Sequence, residues 1–474
     1  MAQQYSSSLL NNDLFSFCKM HGLGNDYLYM DCCFGNGHSN PIENDFRKYI
    51  ENLYGRNENH TIENIIQKLC HRNFGIGADG VIFITKPNLE LLEKDSNFSQ
   101  HGTIHCQMEM YNSDGSSGEM CGNGLRCVAQ YACDRLIEMK KIEKIPISQK
   151  NHLNTSSEDS SSVSPSCQYG YCIRVQSNRG RKVYDCICYA GVEDERNKKL
   201  QSPFTNSHTN SLWVEIEMGP LQTKASNFDM ASDFENPFME VSLVKQEEGL
   251  IRKVLYSYTY EQENIPVLKI PLYCLLVPNP HAICFVNEIL NLERNSQNDN
   301  VDEHHVWKKD VDQFPLTLVG PVIENDREIF PQRTNVEFIE LISPSSELNN
   351  YETAEIESTS ILSMLESNCV LRVRQRTWER GSGETNACGT GAFAVSQLVY
   401  LRKFYGRRHD TAEQSDNDTE SPPLMCTVQV QLNGGDLYFK YDRKKQQGLS
   451  ETLVNMVGPV SYVCNGTFRI VDFL

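Results

Sequence analysis

The sequence predicts an α/β fold of the α+β kind, divided into two pseudo-symmetric lobes. Short β-rich runs bounded by turn residues recur along the chain, whereas helical patterns are few. A segment of strand, glycine turn, cysteine and helix occurs twice, once at Cys121 and once at Cys388. The chain has 474 residues, of which 39% are hydrophobic, and this is enough for two or three domains with sizeable cores.

Eight short runs have the composition of strands, because they are rich in β-branched and aromatic residues and end at turn residues. These strand candidates are DYLYMDCC, DGVIFIT, IHCQMEMY, WVEIEM, AICFV, VEFIEL, CVLRVRQRT and TVQVQL. Three stretches have the spacing of helices, namely the residues after CGNG, the residues after CGTG, and TIENIIQKLC.

Polar segments separate these elements. They are poor in large apolar residues and rich in Ser, Asn, Asp and Glu, so they cannot bury enough surface to offset the entropy of ordering. We expect them to be surface insertions, most of them without a function of their own. They lie at 151–166 and near 224–265, 292–312, 343–366 and 406–423.

Charge and cysteine content narrow the class of protein. The net charge of −18 argues against binding to nucleic acid or an anionic membrane, because both require clustered Lys and Arg. The 18 cysteines contain no CxxC pair, so neither a disulfide framework nor a zinc ribbon is expected. No basic residue precedes Lys19, and the longest apolar run is broken at 278–281, so neither a signal peptide nor a membrane span is expected. These observations predict a cytoplasmic protein with free thiols and a small-molecule partner.

The internal repeat is the most informative feature. CGNGLRCVAQ from Cys121 aligns without gaps to CGTGAFAVSQ from Cys388, with Cys, Gly, Gly, Val and Gln at matching offsets. At the same offset, Asn112 falls opposite Glu379. Each copy therefore places one thiol at the start of a helix. A single Gly-Cys-Gly turn is more often a packing site, and buried cysteine is usually inert, but recurrence at matched offsets argues against that interpretation.

A thiol at a helix start has a specific chemistry. Unpaired N–H groups and the positive end of the helix dipole lower the pKa of a thiol and attract a carboxylate. Glycine lets a ligand approach the backbone closely. Two symmetric thiols that share one cleft suit removal of a proton from one face of a carbon and delivery to the other. The pattern therefore predicts epimerisation or racemisation at a carboxylate-bearing carbon.

With these residues in hand, the chain resembles the diaminopimelate epimerase family. The resemblance covers somewhat over half of the residues, in the family's order from residue 18 to the end. The matching stretches are KMHGLGNDYLYMD, RNFGIGADGVIF, YNSDGSSGEMCGNGLRC, VPNPHAICFV, RTNVEFIEL, ERGSGETNACGTGA and MVGPVSYVCNGTF. In this family the enzymes interconvert LL- and meso-diaminopimelate, on the route to lysine and peptidoglycan, without a cofactor or metal.

The resemblance also implies residue roles. Cys121 and Cys388 would be the acid/base thiols. His281 and Glu379 would lie near them, where they would tune protonation and hold the substrate's ammonium. Asn25, Asn112, Asn279, Asn335 and Arg380 would bind the distal amino-acid end, because neutral amides can meet a zwitterion and Arg suits a carboxylate. The backbone of Gly122, Asn123, Gly389 and Thr390 would bind the reacting carboxylate.

The fold implied by the resemblance has two lobes, each a curved mixed sheet or barrel around a central helix, with the active site in the cleft between them. We expect a disordered tail at 1–13, a first lobe at 14–178 that includes the last strand at 460–474, and a second lobe at 179–459. The partner would be the small-molecule substrate, and a homodimer is left open.

Three alternatives are weighed against this prediction. A proline or hydroxyproline racemase would share the scaffold but not the amide and Arg set for a distal head. A phenazine-type isomerase would lack the cysteine pair. A non-catalytic binding descendant would be expected to lose a cysteine or the ERG triplet, and both are present.

Overall fold

The computed structural model divides the chain into two compact units. The first comprises Met1–Glu217, Thr359–Ile361 and Gly458–Leu474, and the second comprises Met218–Ser358 and Leu362–Val457. The structure describes residues 14–35, 61–91, 102–118, 120–146, 169–177, 182–189, 212–220, 239–242, 250–258, 267–277, 279–294, 301–305, 310–342, 365, 368–405, 423–443 and 452–473.

The elements between residues 14 and 220 are mostly strands. Their bounds are β1 Leu14–Gly22, β2 Asn25–Asp31, α1 Ile62–Cys70, β3 Gly80–Thr85, β4 Cys106–Asn112, α2 Gly122–Glu138, β5 Ile145–Pro146, β6 Tyr169–Gln176, β7 Val183–Tyr189 and β8 Leu212–Pro220.

The elements between residues 239 and 469 are also mostly strands. Their bounds are β9 Met239–Ser242, β10 Leu250–Tyr258, β11 Val267–Leu276, β12 Pro280–Phe285, β13 Leu290–Arg294, β14 Val301–His305, α3 Leu316–Asn325, β15 Asn335–Ile342, β16 Cys369–Glu379, β17 Gly383–Thr385, α4 Gly389–Tyr405, β18 Met425–Leu432, β19 Gly435–Asp442 and β20 Leu453–Arg469. The chain passes from the first unit to the second within β8 and returns to the first within β20.

In the first unit, the strands form a mixed sheet. The end of β20 pairs with β1 antiparallel, β1 with β2 antiparallel, β2 with β3 parallel, and β3 with β4 antiparallel. β4 then pairs with β6 parallel, and β6, β7 and β8 follow antiparallel. Because β7 and β8 continue this sheet, the first unit extends to Glu217, beyond the residue 178 expected from the sequence.

In the second unit, the same pattern of pairings recurs. β11 pairs with β12 antiparallel, β12 with β15 parallel, and β15 with β16 antiparallel. β16 pairs with β18 parallel, and β18 and β19 are antiparallel. In each unit a helix lies between the first two parallel partners, and the cysteine helix lies between the second two. The repeat seen in the sequence around two cysteines therefore extends to eight elements in each half of the chain.

A buried helix follows each cysteine. α2 packs against β1, β2, β4, β6 and β7, and α4 packs against β12, β15, β16, β18 and β19. Both helices have 17 residues, and most residues of each are buried, polar ones included, as expected for a helix enclosed by its own sheet. The predicted α+β class with a central helix in each lobe is confirmed.

All eight strand candidates and all three helical patterns form the predicted type of element. α1 shows why the pattern was sufficient: Thr61 accepts a hydrogen bond from the Asn64 N–H at its start, and Ile65, Ile66 and Leu69 lie on its buried face. α3 was missed, because Pro321 lies inside it and removes a backbone donor.

The polar insertions are corrected in part. The stretch near 292–312 contains most of the antiparallel β13–β14 hairpin and a 3₁₀ turn at Val311–Gln313, and β9 and β10 fall within 224–265. Backbone pairing between strands therefore organises parts of these stretches. The predicted tail at 1–13 and the insertion at 151–166 lie outside the described residues, as do nearly all of those at 343–366 and 406–423.

Among the described helices, none is both long enough and apolar enough to cross a membrane.

Candidate active site

Cys121 is the N-cap of α2. Its backbone is extended, with φ −122° and ψ 119°, and its carbonyl accepts the first helical hydrogen bond from the Leu125 N–H at 2.8 Å. Its Sγ accepts from the Gly124 N–H at 3.5 Å, so the thiol occupies the position of a capping side chain. The residue is half-buried. The sulfur thus lies among the unpaired N–H groups of the first turn.

A network of amides orients the groups around Cys121. Asn25 donates from Nδ2 to the Asp79 carboxylate at 2.9 Å, so its Oδ1 turns toward the sulfur, which donates to it at 3.3 Å. Asn123 donates from Nδ2 to the same Oδ1 at 3.4 Å and accepts from Arg126 at 2.7 Å. Each amide orientation is therefore set by a charged group at its far end.

Arg126 is fully buried beneath this turn. Burial lowers the pKa of its guanidinium, which Cys127, Cys121 and Tyr29 counteract. A Cβ at Gly22 would lie 2.8 Å from Nη2 of Arg126 and 3.1 Å from Cβ of Asn123. The glycine on β1 therefore makes room for the side chains that hold the Cys121 turn.

Cys388 repeats the geometry of Cys121. The Gly391 N–H donates to its Sγ at 3.3 Å, and the Ala392 N–H donates to its carbonyl at 2.9 Å. The Thr390 hydroxyl lies 3.5 Å from the sulfur. In both copies, the third residue after the cysteine bonds the sulfur and the fourth bonds the carbonyl.

The expected lowering of the thiol pKa is wrong for Cys388. Burial raises the pKa of this thiol well above its ordinary value, and the carboxylates of Glu379 and Glu337 raise it further. The Thr390 hydroxyl and the Gly391 N–H lower the pKa, but by less. Desolvation disfavours the thiolate more than the first turn of the helix favours it.

A buried polar row lies on the strands that pack against α4. His281 on β12 and Glu337 on β15 are both fully buried, with 2.7 Å between His281 Nδ1 and Glu337 Oε1. The other ring nitrogen of His281 lies 3.1 Å from Oδ1 of Asn279. Because Ile283 pairs with Glu337 and His281 with Asn335, alternate residues of the two strands point to one face.

The ERG turn is fixed by two neighbouring side chains. Asn335 accepts from the Arg380 N–H at 2.8 Å and donates to the Pro280 carbonyl at 3.2 Å. Glu324 on α3 accepts from the Gly381 N–H at 2.7 Å and pairs with Arg333. These contacts hold the backbone on both sides of Arg380, which is exposed.

The described structure brings together most of the predicted residues within each copy. Asn25, Asn123 and Cys121 are in contact in the first, whereas Asn112 bonds Ser116 at the end of β4. In the second, Asn279 contacts His281, Asn335 contacts Arg380, and Glu379 accepts from the Thr385 hydroxyl at 2.5 Å. The helix starts that include Gly122, Asn123, Gly389 and Thr390 are buried.

Several supporting residues were not predicted from the sequence: Asp79, Arg126, Glu324 and Glu337. Asp79 and Arg126 lie inside stretches that match the family, but nothing in the pattern distinguishes their roles. Glu337 had a usable signal, because an acidic residue within an apolar strand is rarely buried without a partner. In the described part of the chain, no group of three or more His, Cys, Asp or Glu residues could hold a metal ion.

Comparisons with known proteins identify one family of similar sequences. The model of the diaminopimelate epimerase family matches residues 17–147. The diaminopimelate epimerase of Bacillus cytotoxicus is 27% identical over 96% of this chain and 97% of its own length. That of Leptospira biflexa is 27% identical over 96% of this chain and 99% of its own length.

These matches support the diaminopimelate epimerase family and, more broadly, an isomerase of the epimerase type. Two solved structures were also matched at 10% identity and 96% coverage of this chain. They are a Bacillus anthracis phenazine biosynthesis protein of the PhzF family, with a TM-score of 0.41 over 99% of that chain, and a hydroxyproline epimerase from Agrobacterium vitis, with a TM-score of 0.42 over 92%.

Proposed function

We propose that the chain is a cytoplasmic diaminopimelate epimerase that interconverts LL- and meso-diaminopimelate without a cofactor, in the synthesis of lysine and peptidoglycan precursors. One observation carries the proposal. Cys121 and Cys388 occupy the same capping position at the start of matched 17-residue helices, each with an N–H on its sulfur from the third residue after it. A pair of equivalent thiols is what proton exchange at the two faces of one carbon requires.

The first turns of α2 and α4 would also bind the reacting carboxylate. Their unpaired N–H groups and the positive ends of the helix dipoles favour an anion, and the glycines at Gly122 and Gly389 let it approach the backbone. Charge that develops on the carboxylate as the Cα proton leaves would be stabilised by the same donors. This supplies the electron sink that a cofactor provides in other amino-acid racemases.

The proton balance follows from the state of Cys388. Because burial raises the pKa of this thiol, Cys388 begins as the S–H form. For Cys121 to act as the base, its S–H must first release to solvent the proton that it donates to Asn25. The resulting thiolate would take the Cα proton, and the electron pair would stay on the substrate as an enediolate. The Cys388 S–H bond then breaks as its proton is delivered to the opposite face. The step ends with Cys121 as thiol and Cys388 as thiolate, which is the starting state for the reverse reaction.

The distal end of the substrate would be bound by Asn25, Asn112, Asn279, Asn335 and Arg380. Amide groups present both donors and acceptors to a zwitterion, and the exposed guanidinium is a planar fork for its carboxylate. His281 and Glu379 would tune protonation beside Cys388, and Glu379 would accept from the ammonium. A substrate with a second amino-acid head therefore fits this set better than proline does.

The experiment is an assay of the purified chain in deuterated water without added cofactor. LL-diaminopimelate, L-proline and trans-4-hydroxy-L-proline are compared by proton NMR at Cα. We expect epimerisation and solvent deuterium at Cα with LL-diaminopimelate alone, and loss of turnover by at least ~1,000-fold in both Cys121→Ala and Cys388→Ala, because each face then lacks its proton carrier. Turnover of proline instead would identify a racemase, and an alanine variant with most of its activity would contradict the two-thiol scheme.

A further inference from the structure

Glu337 is a buried carboxylate to which the proposed reaction gives no role. It lies in β15, its side chain is fully buried, and carboxylates are rarely buried without compensation. Its Oε1 contacts His281, whereas Oε2 has no hydrogen-bond partner among the described residues. The His281 ring is therefore its principal compensation.

The contact with His281 fixes the imidazole ring. Glu337 Oε1 accepts from Nδ1 of His281 at 2.7 Å, and the opposite ring nitrogen faces the Asn279 amide at 3.1 Å. A carboxylate on Nδ1 keeps a proton on that nitrogen and orients the ring about its long axis. Asn279 is expected to bind substrate, and the Glu337 carboxylate fixes the tautomer of the ring that Asn279 contacts.

Glu337 also approaches Cys388. A Cβ at Gly391 would lie 2.5 Å from Glu337 Oε1 and 3.2 Å from Cys388 Sγ, so the two atoms are separated by no more than the sum of these distances. The space above the second glycine of CGTG is occupied by this carboxylate. A negative charge so close to the sulfur opposes formation of the thiolate.

We propose that Glu337 is a positioning residue of the epimerase site, whose carboxylate orients His281 and keeps Cys388 in its thiol form. Its effect on turnover rests on the proposed function, whereas its effect on the Cys388 thiol does not. The groups that act on this sulfur are the carboxylates of Glu379 and Glu337, the Thr390 hydroxyl and the Gly391 N–H. Glu337 itself faces His281, and the Gln375 amide lies beside the same glycine.

The test is the pH dependence of Cys388 alkylation by iodoacetamide in the substrate-free full chain, resolved by peptide mass spectrometry. Glu337→Gln keeps the shape and an acceptor oxygen but removes the charge. We expect the alkylation midpoint of Cys388 to fall by about one to two pH units, which is the effect of removing one charge at this range in a medium of intermediate dielectric. An unchanged or higher midpoint would overturn the proposal.

Two controls distinguish the loss of the Glu337 charge from a general opening of the second unit. Glu340→Gln lies in the same strand, but its carboxylate accepts from the N–H groups of Asp310 and Val311, and it should leave the midpoint unchanged. Cys284 is fully buried in the same unit, and its alkylation should stay slow in Glu337→Gln. Equal acceleration at Cys284 would mean that the variant opens the unit, and the proposal would fail.

A second variant serves if Glu337→Gln does not fold. Glu337→Asp keeps the charge, but its side chain is one carbon–carbon bond shorter, so the charge lies farther from Cys388. The alkylation midpoint of Cys388 should therefore fall below that of the wild type, but by less than in Glu337→Gln. A midpoint at or above the wild-type value would contradict the proposal. In folded variants we expect kcat for LL-diaminopimelate to fall about tenfold or more while KM changes little. If the alkylation midpoint of Cys388 shifts as expected but the chain does not epimerise diaminopimelate, the proposed role of Glu337 is supported and the proposed function is rejected.

Discussion

Gly391→Ala should cost both stability and activity, although alanine is the better helix former. A Cβ at this position would lie 2.5 Å from Glu337 Oε1, 3.2 Å from Cys388 Sγ and 3.3 Å from Gln375 Nε2. Ordinary contacts of this kind are about 3.5 Å, so the carboxylate must retreat by about 1 Å. That movement would lengthen its hydrogen bond to His281.

The magnitude follows from opposing effects. Alanine gains about 0.5–1 kcal/mol of helix stability over glycine, whereas overpacking a buried site costs about 1–3 kcal/mol. Lengthening a buried charged hydrogen bond adds to the cost, so we expect the free energy of unfolding to fall by about 1–3 kcal/mol in urea titrations. Displacement of Cys388 and His281 by a fraction of an ångström should lower kcat by about tenfold to a hundredfold.

The matched control is Gly124→Ala in the first copy of the motif. Its Cβ would meet Ile82 Cδ1 at 2.7 Å and Met108 Cε at 3.3 Å, which are the ends of flexible apolar side chains. Gly124→Ala should therefore change the free energy of unfolding by less than about 1 kcal/mol and keep more activity than Gly391→Ala. Equal losses in the two variants, or wild-type behaviour of Gly391→Ala, would refute the placement of the Glu337 carboxylate.

Two further predictions concern stability. Burial of Asp26 would raise its pKa, but its ion pairs with Arg72 and Lys19 hold that pKa below its ordinary value. The stabilisation it gives is therefore complete above about pH 4 and is lost as the pH falls. Asp26→Asn should lower the free energy of unfolding by about 1.5–3 kcal/mol at pH 7, and this difference from the wild type should shrink on further acidification. An undiminished difference at pH 3, measured by urea unfolding, would reject this. Ser396 shares a 2.8 Å hydrogen bond with the buried Tyr441 hydroxyl. Ser396→Ala should therefore lower the free energy of unfolding by about 1–3 kcal/mol in the same assay, and a loss under about 0.5 kcal/mol would contradict this expectation.

Local pattern predicted the elements that carry the chemistry. The alternation in strands such as VEFIEL and the helix starts at Cys121 and Cys388 depend only on neighbouring residues, and the gapless alignment between the two copies indicated the repeat. These features lie in the sequence itself because strand and helix periods are local properties. The eight-element topology in each unit then agreed with the prediction made from ten aligned residues.

Other features depended on the register between strands that are distant in sequence. The contact between His281 and Glu337 arises from the parallel pairing of β12 with β15, and the spacing of 56 residues gives no sign of it. The pKa of Cys388 was predicted in the wrong direction, because the helix start is visible in the sequence and the burial of its sulfur is not. Pro321 hid α3, since a helix that packs along one face can tolerate a proline that a sequence pattern counts as a break.

The most direct test of the two-thiol claim is the position of solvent deuterium at low conversion. LL-diaminopimelate is incubated with the wild-type chain in deuterated water, and the Cα hydrogen of product and of recovered substrate is analysed by mass spectrometry before 5–10% conversion, roughly the range in which the reverse reaction is negligible. If separate thiols serve the two faces of Cα, the meso product should carry deuterium while the recovered LL substrate retains protium. Product that retains the substrate's own proton would contradict the account, because one group would then both remove and return it.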